Sequence, residues 1–447
     1  MKESKPTLLF MAPVNTVSGY GARSRDVIQS LIASDKYDIS IWPTRWGNTP
    51  MNALNDQDPK DKLIIDRCLT TPKMETQPDI FIQITVPNEF QQLGKYNIGI
   101  TAGIETTIAA APWIEGCNKM DLILVSSEHS KKVLSESHWQ KMDEQTKQPI
   151  GMLKLEKPIE VLFEGVDPAT YFKTSEIHKS VDDCLSDVKE DYAFLFVGHW
   201  LKGHFGEDRK NISGLIRTFL ETYKNKATKN QPALVLKTSH ADFSPLDKGD
   251  LLDKVDQIYK SVAVSRNKLP NVYLIHGDLT NDEMNSLYNH PKIKSHITFT
   301  KGEGYGRPLA EASLSEKPLI ASHWGGHIDF VKHSIQIPGK LTNVHESAAW
   351  ENVILKESQW MSVDFGQASE AMKFATDKKN KKACMLIAKR QATTIKKGFM
   401  LEHMKDLLVQ YLDQYVPKFP KEVKLQLPKL KTPTLPKLKL PKLTKHV

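Results

Sequence analysis

Residues 298–322 read TFTKGEGYGRPLAEASLSEKPLIAS and combine a predicted strand, a glycine-rich loop, a short helix and a second strand. Three glycines, Gly302, Gly304 and Gly306, follow the first strand within the loop. Pro308 suits the first position of a helix, where its missing N–H removes no hydrogen bond. The loop therefore presents backbone N–H groups at a helix N-terminus, an arrangement that attracts phosphate.

Two carboxylates flank this loop, Glu303 within it and Glu311 on the first turn of the helix. Carboxylates are poor phosphate ligands, but they accept hydrogen bonds well from sugar hydroxyls. Phosphate donors next to two hydroxyl acceptors point to a nucleotide sugar as the ligand.

The same alternation of strands and helices runs through both halves of the chain. Predicted strands cover 7–12, 38–42, 79–84, 97–102, 121–126 and 159–163 in the first half, and 192–197, 234–238, 272–276, 296–300 and 319–322 in the second. Predicted helices between them include 22–33, 127–136, 212–223, 251–264, 282–289 and 308–314. This order predicts an α/β protein with two Rossmann-like, doubly wound domains in tandem. Ligands bind such sheets at the carboxyl ends of the strands, so we expect the site in the cleft between the domains.

A polar linker, 167–191, separates the two halves, and 364–415 has a mostly helical pattern. The last segment, 418–447, mixes Pro, Lys and Leu in a loose repeat and carries nine Lys against one Glu. The chain has a formal net charge of +8, and this segment accounts for all of it. Because proline blocks helix and sheet hydrogen bonding, we expect a disordered basic tail. It is either a solubilising tail or a tether to DNA, to an anionic membrane or to a protein partner.

The overall composition excludes several classes of protein. The chain has 447 residues, of which 40% are hydrophobic, and no apolar run is long enough to span a membrane. Four scattered cysteines, without CxxC spacing, predict neither a zinc site nor a disulfide framework and favour the cytoplasm. The histidines show no metal-binding spacing, and Asp56-Gln57-Asp58 lies in a polar loop, so we expect no metal.

The segment from Glu303 to Glu311, EGYGRPLAE, followed by KPLIAS, resembles the signature of retaining GT-B glycosyltransferases of the family-4-like group. Three further stretches are similar to the family: the strand and serine turn at 121–127, the GVD segment at 165–167, and the glycine pair after Trp324. The resemblance spans roughly residues 7 to 400. It implies two domains facing across a cleft, C-terminal crossover helices, and transfer of a sugar with retention of configuration.

The resemblance also implies roles for individual residues. Glu303 would hold the hydroxyls of the transferred sugar, and Glu311 would accept from the ribose hydroxyls. Lys210 occupies the position of the diphosphate-binding lysine, where positive charge stabilises the leaving group. The family's second cation, an arginine, has three candidates here: Arg209, His199 and Lys202.

The remaining donor contacts implied by the resemblance involve backbone. The backbone of Tyr305 and Gly306, with Gly304 in the same loop, would approach the distal phosphate. In the first half, Gly19 and Gly21 would face the donor phosphates. Where the family places a histidine near the sugar, this chain has Glu105, which either takes that polar role or lies on the surface.

We therefore predict a metal-independent glycosyltransferase without a bound cofactor, whose substrates are a nucleoside-diphosphate sugar and a hydroxyl acceptor. The acceptor is a glycan, a lipid-linked sugar or a hydroxylated DNA base. The expected domains are an acceptor-side domain (1–188), a donor domain (189–395), a helix packing back on the first domain (396–416) and the basic tail (417–447). We expect a cytoplasmic location, with peripheral membrane association as an option.

Two alternative functions belong to other classes of protein. The first is a non-catalytic GT-B-like protein that uses its tail to bind nucleic acid or membrane. The second is a nicotinamide-dependent oxidoreductase, which the sequence disfavours because Ser24 stands where the GxGxxG motif needs its third glycine.

Overall fold

The computed structural model describes residues 5–71, 76–143, 145–240 and 244–419. The described residues up to Val416 form one compact unit. The predicted tail lies outside the described residues from position 420 onward, so its expected disorder stays a prediction.

The first half alternates strands and helices from its beginning. In chain order they are β1 (Thr7–Ala12), α1 (Gly19–Ser34), β2 (Asp38–Pro43), α2 (Pro59–Ile65), β3 (Ile80–Ile84), β4 (Tyr96–Thr101), α3 (Ala111–Lys119), β5 (Leu122–Val125), α4 (Glu128–Glu136), β6 (Trp139–Met142), β7 (Pro149–Leu153) and β8 (Ile159–Val161).

The second half repeats the pattern and ends in helices. Its elements are α5 (Lys179–Cys184), β9 (Ala193–Val197), α6 (Ile212–Tyr223), β10 (Ala233–Lys237), α7 (Pro245–Ser261), β11 (Val272–Ile275), α8 (Asn281–Asn289), β12 (Ile293–Thr298), α9 (Arg307–Ser313), β13 (Leu319–Ser322), β14 (Ile335–Ile337), β15 (Gly339–Asn343), β16 (Gln359–Val363), α10 (Phe365–Thr376), α11 (Lys381–Gly398) and α12 (Leu401–Tyr415).

Each half contains a six-stranded sheet in which every neighbouring pair is parallel. The first sheet has the order β2-β1-β3-β4-β5-β8, and the second has the order β11-β10-β9-β12-β13-β14. The second order is that of the dinucleotide-binding Rossmann fold. The predicted fold class, two doubly wound α/β domains, is therefore confirmed.

The central strands are buried on both faces, which explains their near-continuous apolar sequences. In β3 even Gln83 is buried, and its side-chain amide donates to the Glu89 carbonyl and accepts from the Gln91 N–H. A buried polar group paired in this way does not destabilise the sheet.

The C-terminal helix α12 packs against the first half. The hydroxyl of Tyr411 donates to the Val161 carbonyl at 3.1 Å, and that of Tyr415 donates to Glu160 at 2.6 Å. Both partners belong to β8, the last strand of the first sheet.

Several features differ from the sequence-based expectations, among them β14, which adds a sixth strand to the second sheet where five were predicted. The first half carries an antiparallel hairpin, β6–β7, and the second carries another, β15–β16. The polar linker contains the short helix α5. Short antiparallel pairs and a six-residue helix have too few residues to give a clear hydrophobic period, so the sequence pattern did not predict them.

Candidate active site

The carboxyl ends of the two sheets meet at the glycine-rich loop 302–306. An ideal Cβ on Gly304 would lie 2.2 Å from the carbonyl oxygen of Ala102, at the end of β4, and one on Gly302 would lie 1.9 Å from that of Glu105. Any side chain at either position would collide with backbone of the first half. Glycine at 302 and 304 therefore allows the two halves to touch.

Glu303, between these glycines, is buried and accepts from two cations. Its Oε1 lies 2.5 Å from Lys210 Nζ, and its Oε2 lies 3.2 Å from Arg209 Nη1. Burial alone would raise the pKa of the Glu303 carboxyl, but the charges of Lys210 and Arg209 outweigh it and lower the pKa to about 2. The carboxylate is thus ionised at neutral pH and able to accept hydrogen bonds.

Lys210 and Arg209 reach this carboxylate because they lie just before α6. Positive charge at a helix N-terminus is unfavourable unless an anion is close. In this structure the carboxylate of Glu303 is such an anion. Arg209 also donates to the Gly302 carbonyl at 2.9 Å and lies 3.8 Å from Glu105 Oε1.

The structure thus brings together four of the sequence-predicted site residues, one of them from the first half. Among the three candidates for the second cation, Arg209 contacts Glu303. The Glu105 side chain, for which the sequence allowed a polar role or a surface position, is partly buried and faces Arg209.

Glu311, on α9, lies in a second network. Its Oε1 accepts from Arg307 Nε at 2.8 Å, and its Oε2 accepts from the Tyr288 hydroxyl at 3.1 Å. Burial raises the pKa of Glu311 above its usual value, with Arg307 opposing the shift. Arg307 also contacts Asp26 of α1 at 2.6 Å, so this network spans both halves.

Tyr305 and Gly306 directly precede α9. Gly306 has φ +99°, a conformation that favours glycine, and it is the residue that caps the helix. The ring of Tyr305 is buried against Phe330, with centroids 4.7 Å apart. The side chain of Tyr305 therefore belongs to the core, and only its backbone is placed to contact a ligand.

Gly19 and Gly21, expected in a loop, lie in the first turn of α1, which reaches the same region through Tyr20. The Tyr20 hydroxyl accepts from the Ala102 N–H at 3.2 Å, beside the contact with Gly304. A Cβ on Gly21 would lie 2.1 Å from the Thr16 carbonyl oxygen, whereas one on Gly19 would meet nothing. Glycine is thus required at 21, where α1 approaches the backbone of Thr16, whereas Gly19 borders open space.

At the loop 302–306 the two halves are in direct contact, at the place where the cleft between the domains is expected. Within the second half, a cavity of about 20 Å³ beside Lys210, Glu303 and Gly306 has room for about one water molecule, and a second cavity of about 190 Å³ borders Arg209. The closed contact is reinforced where the Glu128 N–H donates to Asp329 at 2.7 Å. Neither cavity reaches the roughly 300–1,000 Å³ of typical small-molecule sites.

Sequence reasoning missed Arg307 and Asp26. The four-residue spacing of Arg307 and Glu311 on one helix was a usable signal for their ion pair. Asp26 had no signal, because it lies 281 residues from Arg307 in the chain.

Neither a metal centre nor a membrane span is present in the part of the chain that the structure describes. There, no group of three or more His, Cys, Asp or Glu side chains is arranged to hold a metal. Nor does a helix among the described residues have the length and apolarity needed to cross a bilayer.

No family model and no curated protein sequence matches the chain, but solved structures do. Sucrose-phosphate synthase from Thermosynechococcus elongatus has a TM-score of 0.59 at 10% identity, over 92% of this chain and 99% of that one. A glycosyltransferase from Rickettsia africae ESF-5 has a TM-score of 0.58 at 12% identity, with 92% and 99% covered. HepE from Anabaena, in complex with UDP and glucose, has a TM-score of 0.54 at 10% identity, with 92% and 100% covered.

These structural neighbours are GT-B glycosyltransferases, and the chain has their fold over its two sheets. At 10–12% identity the likeness establishes the fold.

Proposed function

We propose that this protein transfers a sugar from a nucleoside-diphosphate sugar to a hydroxyl acceptor, with retention of the anomeric configuration. The observation that carries the proposal is the contact of ionised Glu303 with Lys210 and Arg209, at the junction of two sheets with the GT-B fold. The fold by itself would not assign a reaction, because one fold hosts many functions.

The two cations suit the leaving group. As the glycosidic bond breaks, negative charge grows on the diphosphate, and Lys210 and Arg209 would stabilise that charge where it develops. These two side chains neutralise charge without a metal ion, so we include metal independence in the proposal. Addition of EDTA should then leave turnover unchanged.

The carboxylates suit the hydroxyl groups of the donor. Ionised Glu303 would accept from the hydroxyls of the transferred sugar, and Glu311 would accept from the ribose. Each carboxylate contacts two side chains in this structure and can accept about four hydrogen bonds in all. By resemblance to retaining enzymes, the leaving phosphate deprotonates the acceptor, so the protein contributes mainly orientation and electrostatics.

Donor entry requires motion. Because the cavities beside Lys210, Glu303 and Arg209 are smaller than typical small-molecule sites, we expect the contact between Gly304 and Ala102 to open when a nucleotide sugar binds. Closure around the donor would then exclude water from the reacting centre.

The test is thermal melting with UDP, GDP, ADP and dTDP. A ligand that binds the folded state alone stabilises it by about 2.7 kcal/mol at a hundredfold excess over its dissociation constant. We expect one of the four to raise the melting temperature, and Lys210→Gln to abolish the shift. Lys373→Gln, which breaks a surface pair with Glu370, is the control. Absence of a shift with all four would contradict the proposal.

We further propose that the basic tail, 418–447, holds an acceptor-bearing surface, either DNA or an anionic membrane. The support is its charge of nine Lys against one Glu. Removal of the tail should weaken binding to duplex DNA or to phosphatidylserine vesicles and flatten the dependence on salt. Unchanged binding to both would refute a tethering role and leave the solubilising one.

A further inference from the structure

We propose that the second half carries a separate carbohydrate-binding pocket beside α6, and that Asn211 recognises a hexose unit there. The pocket has a volume of about 600 Å³, within the range of small-molecule sites. It lies between α6, the start of α10 and the segment 205–207. Neither Glu303 nor Lys210 lines it, so the inference does not depend on the proposed function.

Asn211 is the polar group that points to a ligand. Its side chain is 1% exposed, yet neither Oδ1 nor Nδ2 has a hydrogen-bond partner in the described structure. A buried amide without partners is unfavourable, because each unpaired group has lost its hydration and gained nothing in exchange. A ligand that both donates and accepts at adjacent atoms would relieve this.

The backbone holds Asn211 in place. Its φ of 50° and ψ of 43° put it in the left-handed region, where Asn is one of the few tolerated residues. Its Oδ1 would lie 2.2 Å from a Cβ on Gly214, so the missing side chain at 214 makes room for the amide at the pocket floor.

The walls of the pocket are aromatic. Phe205 is 49% exposed and Phe365 is 48% exposed, although both are large apolar side chains. Such rings offer flat apolar surfaces to the C–H faces of a sugar ring. Hydroxyls of Thr218, Thr222 and Ser369 also line the pocket.

The charge of the pocket favours a neutral ligand over a phosphorylated one. Two acidic and two basic side chains line it, and they are Glu207, Glu221, Arg217 and Lys301. Lys301 is paired with Glu207 at 3.0 Å. Adjacent sugar hydroxyls, one donating to Oδ1 and one accepting from Nδ2, match the Asn211 amide without adding charge.

The experiment is saturation-transfer NMR on the full chain with maltose, cellobiose and lactose, with AMP as the comparison ligand. We expect at least one disaccharide to bind, with saturation transferred to its ring C–H protons. Asn211→Gly keeps the left-handed backbone and removes the amide, and it should weaken binding at least about tenfold. Phe205→Ser, at an exposed position, should do the same.

The matched control is Asn225→Gly, which makes the same change at another left-handed but exposed asparagine. It should bind as the wild type does. Excess UDP should not displace the disaccharide. The proposal is overturned if no disaccharide binds, if AMP binds at Asn211 instead, if UDP displaces the sugar, or if Asn211→Gly and Phe205→Ser bind normally. Diphosphate release, measured separately, reports on the catalytic site alone.

Discussion

Arg307 and Asp26 join the two halves of the molecule: Nη1 of Arg307, on α9, lies 2.6 Å from Oδ2 of Asp26, on α1. The same guanidinium donates through Nε to Glu311. Both side chains of the cross-domain pair are at most 20% exposed, so the pair is only weakly screened by solvent. Arg307 therefore links Glu311 to the contact between the two halves.

Breaking this pair should favour the open state. For Asp26→Asn we expect the free energy of unfolding to fall by about 2 kcal/mol, because the Asn amide can still accept from Arg307 but lacks the negative charge that pairs with the guanidinium. We also expect a higher KM for the donor, since closure becomes less favourable. Urea unfolding and donor titrations measure the two effects.

Asp413→Asn is the matched control, because it breaks an exposed ion pair of similar length, Lys36–Asp413. Exposed pairs contribute little, so neither quantity should change. Equal effects of Asp26→Asn and Asp413→Asn would show that the cross-domain pair has no special role.

Gly304→Ala should prevent the two halves from closing. The added Cβ would lie 2.2 Å from the Ala102 carbonyl oxygen, a backbone atom that cannot move independently. We expect a larger radius of gyration by small-angle X-ray scattering, retained circular dichroism and loss of donor turnover. Gly249→Ala, where a Cβ meets nothing, should behave like the wild type. A closed, active Gly304→Ala protein would disprove the requirement for this contact.

The buried carboxyl of Asp208 should make the stability of the protein depend on pH. Its carboxyl is buried next to the start of α6, and desolvation raises its pKa from 3.8 to about 6. The folded state therefore binds the proton more tightly than the unfolded state does. This contribution to stability is fully present below about pH 4 and is lost as the pH rises through 6.

Asp208→Asn should abolish the loss of stability that occurs as the pH rises, while keeping a side-chain acceptor for the Ile212 N–H. We expect the variant to be more stable than the wild type at pH 7, by about 3 kcal/mol, and equally stable near pH 3.5. Urea unfolding across this range measures the difference. A pH-independent difference would show that the Asp208 carboxyl does not titrate as described.

The sheets could be predicted from sequence, and Glu303 and Lys210 could be singled out, because the relevant signals are local; the ion pair between these two residues was not predicted. Strands such as β1 and β13 are continuous apolar runs, and their predicted bounds agree with the structure. Glu303 and Lys210 each sit in a recognisable motif at a strand end or helix start. Parallel sheets bring such ends to one edge.

Other features depend on the packed molecule and left no local signal. The contact of Arg307 with Asp26 joins positions far apart in the chain. The two halves touch where Gly304 approaches the carbonyl oxygen of Ala102. A glycine in a loop does not by itself indicate such a contact between domains. The amide of Asn211 became informative only when its burial and its missing partners were known.

Release of nucleoside diphosphate from UDP-, GDP-, ADP- and dTDP-glucose, without acceptor, tests the central claim most directly. The wild type should hydrolyse one donor slowly, and Glu303→Gln should reduce the rate by about 100-fold, the effect of losing a stabilising polar group in an active site. Glu370→Gln, which alters an exposed carboxylate also paired with a lysine, should leave the rate unchanged. Release by Glu303→Gln at the wild-type rate would contradict the assignment of Glu303 to the donor sugar.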